Sequence, residues 1–338
     1  MTADVVALVR ALDAEVSAER LRTDVETLAV GQRSRRRAPA AMRSAERYVT
    51  AELRRAGWRV ARQSFDVRWR VGCMDAPGAR PQLLKGRLHP RLVGANLIAE
   101  LPGHAAAPTV VIGAHLDTVD GSPGADDNAS GVAALIELAR LLGALPSPPP
   151  VTLAVLDMEE LGLIGARVLA SALRRTRPVA GMICLESVGY FATEPGTQRL
   201  PVGAGLVFRS TARSVRAAGL RGDFTLVAHR RSSAAAAELW QRAAAETACG
   251  LSGLLLRDPR PDGALGQLIG LLVPPLNHLG RSDHAAFWNR RIPALMLTST
   301  ANFRNDGYHR PSDTPDTLDY PRLAAVTVAT AATALNWP

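Results

Sequence analysis

Val110-Val111-Ile112-Gly113-Ala114-His115-Leu116-Asp117, followed by Gly124-Ala125-Asp126-Asp127-Asn128-Ala129-Ser130-Gly131, is the stretch that decides the fold. A β-branched run closed by glycine reads as a short buried strand, and a strongly helical pattern runs from Ser130 to Leu142. A second β-rich run, Val151 to Leu156, comes after the Pro148-Pro149-Pro150 break. A helical pattern from Gly162 to Arg174 and a buried strand-like run from Met182 to Leu185 follow. Strands and helices alternating at this spacing predict an α/β three-layer sandwich with a mostly parallel, mixed central sheet.

Working outward, Ala40 to Ala56 carries Met42, Ala45, Tyr48, Val49 and Leu53 at helical spacing and ends at Gly57. Trp58 to Val67 and Ala95 to Leu101 read as strands. Downstream, the pattern predicts helices at Ala234 to Ala248, Ser282 to Trp288 and Pro321 to Ala334, and a strand at Ala294 to Thr298. Between Thr193 and Gly280 proline and glycine interrupt the periodicity, and no strand is assigned there. The simplest division is an N-terminal helical lead, residues 1–39, and one larger domain, residues 40–338.

With 338 residues and a 47% apolar fraction, the chain can bury a large core. Its longest apolar candidate, Leu265 to Val273, stops at Pro274, short of the ~18 to 20 residues a spanning helix needs. No membrane insertion is expected. Asp4, Arg10, Asp13 and Glu15 break up the start of the chain, unlike a secretory signal, so the expectation is a cytoplasmic protein. The formal charge of +9 comes almost wholly from arginine, Lys85 being the only lysine. Its one dense run, Arg33, Arg35, Arg36 and Arg37, has no interleaved aromatic for base stacking, which argues against nucleic acid. That run reads as a solvated loop; its other reading is a rim that favours acidic substrates. Cys73, Cys184 and Cys249 are far apart and read as three reduced thiols. Nothing in the sequence sets an oligomeric state.

Acidic and histidine residues gather where strands are expected to end. His115 and Asp117 follow one strand, Asp157, Glu159 and Glu160 a second, and Glu186 a third, while Asp126 and Asp127 open a helix. Ligands of open α/β sheets collect outside the carboxyl ends of the strands. Each feature alone has an ordinary explanation as a loop, a cap or a solvated helix start. Together they place several anions in one cleft, where mutual repulsion calls for a cation. Imidazole and carboxylate without thiolate suit zinc, with manganese or cobalt as substitutes. On an extended segment Asp117 projects beside His115 and can orient it.

The Gly113 to Asp117 run, the Gly124 to Gly131 turn, Glu159-Glu160-Leu161-Gly162, Leu185-Glu186-Ser187-Val188-Gly189, Ser282-Asp283-His284-Ala285-Ala286-Phe287 and Tyr308-His309 appear in consistent order. In these motifs the chain resembles the two-zinc aminopeptidases of the aminopeptidase Y and bacterial leucine aminopeptidase type, a fold family that also contains the glutaminyl cyclases. The resemblance spans Ala40 to Leu335, weakest between Thr193 and Gly280. It implies a zinc-exopeptidase (phosphorylase/hydrolase-like) fold and a catalytic domain over residues 40–338. It implies two zinc ions, with His115 and Glu160 on the first, His309 and Glu186 on the second, and Asp127 bridging. It further implies Glu159 as general base, Tyr308 as a hydrogen-bond donor to the oxyanion, and a cis peptide between Asp127 and Asn128.

The implied function is a metallo-aminopeptidase acting on a peptide or aminoacyl-amide substrate. The alternatives are a one-zinc glutaminyl cyclase-type acyltransferase and a metal-free binding homologue. Asp283 and Asp313 read as buttresses of the last loop or as caps, and His284 as a wall of the site. His89, His104, His229 and His278 read as surface or core residues. Glu186 stands where the family often has aspartate, and the side-chain pocket is expected from Thr193 to Gly280 together with the Thr300 to Asn305 loop.

Overall fold

The computed structural model describes residues 3–73, 86–103, 107–147 and 150–338; Pro148, Pro149, Lys85 and His104 lie outside them. Eight strands form one sheet: β1 (Arg59–Cys73), β2 (Gly86–Glu100), β3 (Thr109–His115), β4 (Val151–Leu156), β5 (Val179–Glu186), β6 (Phe224–His229), β7 (Ser252–Arg257) and β8 (Ala294–Thr298). Their order is β1-β2-β4-β3-β5-β8-β6-β7. β4, β3, β5 and β8 run parallel, as do β6 and β7, whereas β1, β2 and the β6–β8 contact are antiparallel. The sheet is therefore mixed with a parallel centre, as the alternating pattern predicts.

Helices cover both faces. α1 (Ala3–Glu15), α2 (Ala18–Leu28), α3 (Pro39–Arg55) and α4 (Gly131–Gly143) belong to one layer. α5 (Ile164–Thr176), α6 (Ala204–Val207), α7 (Arg209–Ala217), α8 (Ala234–Ala245), α9 (Ala264–Leu272), α10 (His284–Trp288), α11 (Ala301–Arg304) and α12 (Tyr320–Leu335) follow along the chain. The larger core joins α1 to α4, α8 and α12 to one face of the sheet, and the second core packs α5 and α10 on the other. α4 and α12 are apolar almost all round because each is buried on nearly every side. Truncating a fully buried side chain such as Leu323 to alanine costs about 2–5 kcal/mol by transfer and cavity terms.

The helical lead is bonded to the body through charge. Glu137 of α4, fully buried, accepts from Arg20 Nε at 3.0 Å, from Arg140 Nη1 at 3.0 Å and from the Ser17 amide at 2.9 Å. These donors hold its carboxyl below the usual range against the penalty of burial. Among the described residues no helix is long and apolar enough to cross a membrane.

For the site, the parallel centre is what counts. β3 ends at His115, β4 at Leu156, β5 at Glu186 and β8 at Thr298, so four carboxyl ends open on the same side.

Candidate metal centre and active site

Asp127 is the hub. Its Oδ1 lies 3.1 Å from His115 Nε2 and its Oδ2 3.0 Å from His309 Nε2. Glu186 Oε2 approaches His115 Nε2 at 3.5 Å, and Glu160 Oε1 approaches His309 Nε2 at 3.5 Å. Two donor sets result, His115/Asp127/Glu186 and Asp127/Glu160/His309, each with ligand atoms within 4.8 Å of one another. The five residues that the resemblance implies as ligands are thus brought together from the ends of β3 and β5, the turn before α4, the loop after β4 and the loop before α12.

These donors fit a pair of divalent cations. His115 Nε2, both oxygens of Asp127 and Glu160 Oε1 are buried without a hydrogen-bond partner, a costly state for polar atoms that face one another. Burial opposes charge on His309, yet Glu160 and Asp127 outweigh it and carry the imidazole up to about 10. His115 is likewise raised, against its burial, by Glu186 and Asp127. Only positive charge at the imidazole tips balances this much carboxylate, and neutral histidine with zinc supplies it without a proton.

The surroundings fix each donor. His115 Nδ1 sits 3.0 Å from the main-chain oxygen of Asp117, a contact that sets the tautomer and leaves Nε2 for a metal. The Asp117 carboxylate lies further off, 3.8 Å from that nitrogen, and accepts instead from the amides of Glu159 and Glu160 at 3.1 and 3.2 Å. Asp117 therefore orients the histidine through its backbone, and its side chain shapes the acidic loop. Asp313 accepts from the amides of Asp126 and Asp127 at 2.9 and 3.1 Å, so it buttresses the shared aspartate and not His309. Asp126 points away from the hub and accepts from the amides of Gly189 and Tyr190 at 2.8 and 3.1 Å.

The peptide between Asp127 and Asn128 is cis, and Gly124, at φ +62°, leaves no room for a side chain. A Cβ there would lie 2.2 Å from the Asp127 oxygen. Glu186, the residue longer than the usual aspartate, is received by two hydroxyls: Ser282 donates to Oε2 at 2.6 Å and Ser187 to Oε1 at 3.1 Å.

Glu159 is buried beside the donor sets and within ligand distance of His115 and Glu160. Burial, then the charges of Glu160, Glu186 and Asp283, raise its carboxyl well above the ordinary value, against the pull of His115. Tyr308 stacks on His309 with ring centroids 3.9 Å apart and is mostly buried. Next to Glu186 and Tyr308 opens a cavity of about 130 Å³, lined by Leu200, Phe208, Phe224, Leu256, Met296 and Phe303 among others. Most of its lining comes from the two segments expected to supply a side-chain pocket, with Met296, Thr298 and Arg281 added from outside them. His278 also lines it, a placement that the sequence reading of that residue as ordinary surface or core did not give.

Three expectations are corrected. Glu186 lies with His115 and Glu160 with His309, the reverse of the pairing the resemblance implies, because Glu186 ends β5 beside β3 and its His115, whereas Glu160 sits on the loop past β4 and reaches His309. His284 is fully buried, bonds Leu279 O through Nε2 at 2.9 Å and packs edge-on to Trp288, so it belongs to the core and is no wall of the site. The arginine run is not a solvated loop throughout. Arg33 is 1% exposed, and Arg35 is paired with Glu46 and Asp157. Sequence reasoning passed over Arg33 because a guanidinium is rarely buried, and only its carbonyl partners explain why this one is.

Fold and donor set together define a metallopeptidase of α/β architecture. The chain belongs to peptidase family M28, whose model matches residues 96–234 and 271–334. An uncharacterized protein of Escherichia coli K12, YfbL, is 35% identical over 242 residues, covering 68% of this chain and 67% of that protein. A probable lipoprotein aminopeptidase of Mycobacterium tuberculosis, LpqL, is 39% identical over 117 residues, 32% of this chain and 23% of its own length. Among solved structures, the zinc aminopeptidase BSAP of Bacillus subtilis superimposes with a TM-score of 0.65 at 16% identity, covering 95% of each chain. A glutaminyl cyclase of Porphyromonas gingivalis does so with a TM-score of 0.60 at 20% identity, covering 96% of this chain and 99% of that one. Likeness at this identity speaks for the fold alone.

Proposed function

We propose that this M28 enzyme is an aminopeptidase that hydrolyses the N-terminal residue from peptides or small aminoacyl amides. The observation that carries the reading is Asp127 shared between two imidazole–carboxylate sets with the unligated Glu159 beside them. His115 and Glu186 would hold one zinc, His309 and Glu160 the other, and Asp127 both. Bound there, the ions supply Lewis-acid polarisation of the scissile carbonyl and a water acidic enough to ionise near neutral pH.

The chain's own groups do the rest. Glu159 takes the proton of the attacking water and returns it to the leaving amine. Burial and neighbouring acids raise its carboxyl, which suits a group that must both accept and donate a proton near pH 7. Tyr308 donates a hydrogen bond to the oxygen that develops charge. Glu159 and Glu186 offer the acidic contacts that hold a free α-amine. The cavity beside Glu186 takes the first side chain, and its apolar lining favours leucine- or phenylalanine-sized groups. A closed apolar cavity near 150 Å³ accommodates a benzene ring, so the volume here is of the right order.

The cyclase alternative needs one zinc, and the presence of both sets, His115/Asp127/Glu186 and Asp127/Glu160/His309, favours two. Complete ligand sets and a retained base also weigh against a metal-free binding homologue. The deciding experiment is a screen of aminoacyl p-nitroanilides and short peptides, free and blocked at the amine, with and without chelator. Chelator-sensitive turnover of free substrates alone supports the reading. Cyclisation of N-terminal glutamine peptides, with about one zinc per chain, would overturn it.

A further inference from the structure

A second pocket lies on the other side of the donor sets. It measures about 320 Å³ and runs between residues 34–37, residues 87–93 of β2 and the loops leaving β3 and β4. Glu186 walls the apolar cavity, whereas Glu160 and Asp117 wall this one, so the two pockets flank the metal centre. A substrate with its first side chain in the apolar cavity and its scissile bond over Asp127 sends its leaving portion toward Glu160.

The chemistry of this second pocket is basic. Arg37 is paired with Asp120 at 3.3 Å, Arg91 with Asp66 at 2.7 Å, and Arg35 with Glu46 and Asp157. Arg36 and Arg87 also line the pocket, are exposed, and have no ion pair among the described residues. His89 lines it too; it is 7% exposed, and its Nε2 is buried without a hydrogen-bond partner. The acids on the inner wall face other groups: Asp117 accepts from two amides, Asp157 Oδ2 from Arg35 and the Ala95 amide, and Glu160 belongs to the His309 set. On the inner wall Asp157 Oδ1 and Glu160 Oε1 are also without a hydrogen-bond partner, but on the side of residues 36 and 87–89 the unmatched groups are two guanidiniums and one imidazole nitrogen, a donor set for a carboxylate.

We infer that this pocket binds a carboxylate on the leaving portion of the substrate, one residue beyond the scissile bond. The inference rests on the aminopeptidase reading and deepens it to a substrate class. Two sources offer that group within one residue of chain, about 3.5 Å of reach: the C-terminus of a dipeptide, or an acidic side chain in second position. A guanidinium pair recognises either one, because the fork of Arg matches the two oxygens of a carboxylate. Neutral His89, whose proton affinity is lowered by burial and by Arg87 and Arg36, can add a hydrogen bond from its ring.

The test uses the full zinc-loaded chain and four substrates read as two ratios of kcat/KM. Leu-Gly over Leu-Gly-amide reports the C-terminal source, and Leu-Glu-amide over Leu-Gln-amide the side-chain source. At least one ratio is expected to reach about tenfold, the scale of a charged hydrogen bond. In the Arg36→Ala/Arg87→Ala double variant that ratio falls below about threefold, and the Arg36→Lys/Arg87→Lys variant recovers part of it. A ratio is insensitive to general damage, which lowers both substrates together. Turnover of all four with both ratios near one, or a preference that survives the double variant, overturns the inference alone. No turnover of any free-amine substrate sinks the aminopeptidase reading and this inference with it.

Discussion

Arg33 Nε donates to the main-chain oxygen of Leu116 at 2.8 Å. A guanidinium from the N-terminal segment is thereby bonded to the residue that separates His115 from Asp117. Its other nitrogens donate to Leu28 O at 2.8 Å, Pro123 O at 2.7 Å and Gly124 O at 3.0 Å, so it clamps both ends of the loop leading to Asp127. Burial lowers its pKa to about 10, opposed by Asp313, Asp127 and Asp117, and it stays charged at neutral pH. The arginine thus adds buried positive charge beneath the acidic cluster while satisfying the main-chain oxygens of Leu28, Leu116 and Pro123 and sharing that of Gly124 with the Ala129 amide.

Arg33→Ala is therefore expected to lower stability by about 3–5 kcal/mol, since it strands several buried acceptors. Arg33→Lys should restore less than half, because one ammonium cannot span four carbonyls. Urea unfolding at pH 7, with zinc and with chelator, checks both, and the zinc-dependent gain in stability should shrink in each variant as the loop loosens. A loss under about 1 kcal/mol for the alanine variant contradicts the clamp.

Glu159→Gln should leave metal content unchanged and reduce turnover at least ~100-fold, the scale of losing a general base. Asp127→Asn should do the reverse in order of cause, lowering metal content first, because both donor sets share that carboxylate. Metal analysis beside steady-state kinetics separates the two, and full activity in the glutamine variant removes Glu159 from the mechanism.

Much of this arrangement was legible in the chain because the signals were local. The strands at Val151 to Leu156 and Ala294 to Thr298 match their apolar runs residue for residue. The donors sit at strand ends, where a sudden change from apolar to acidic marks them. β6 and β7 were not legible. Ser252 to Arg257 is only half-buried at the sheet edge, and Phe224 to His229 pairs with β7 and β8, so neither run is set apart by its own periodicity. The partners of Asp117, Asp313 and Arg33 were hidden for another reason. They are backbone groups on loops distant in sequence, and side-chain patterns do not encode them.

Ala212 of α7 is buried and lines the apolar cavity. Ala212→Phe should fill it, lowering kcat/KM for leucyl and phenylalanyl amides at least tenfold while alanyl amides change less than about threefold. Overpacking costs about 1–3 kcal/mol, so the comparison is made well below the unfolding temperature. Equal losses on all three substrates would place the first side chain elsewhere.

His284 gives a pH dependence that does not involve the metals. Burial lowers it to about 3, while the unfolded chain titrates near ~6.5. Between those values the unfolded state binds the extra proton, so this residue's contribution is complete above pH ~6.5 and is lost as pH falls toward 3. Asp126 and Asp283, raised by burial to about 7 and about 8, act with the opposite sign and gain stability as pH falls through those values, so the raw profile mixes both. The difference between native protein and His284→Gln isolates the histidine. Measured by urea unfolding with chelator present, the native advantage should shrink from pH 7 to pH 4, by at most about 1.4 kcal/mol per pH unit. A pH-independent difference would mean that His284 carries a proton, or none, in both states alike.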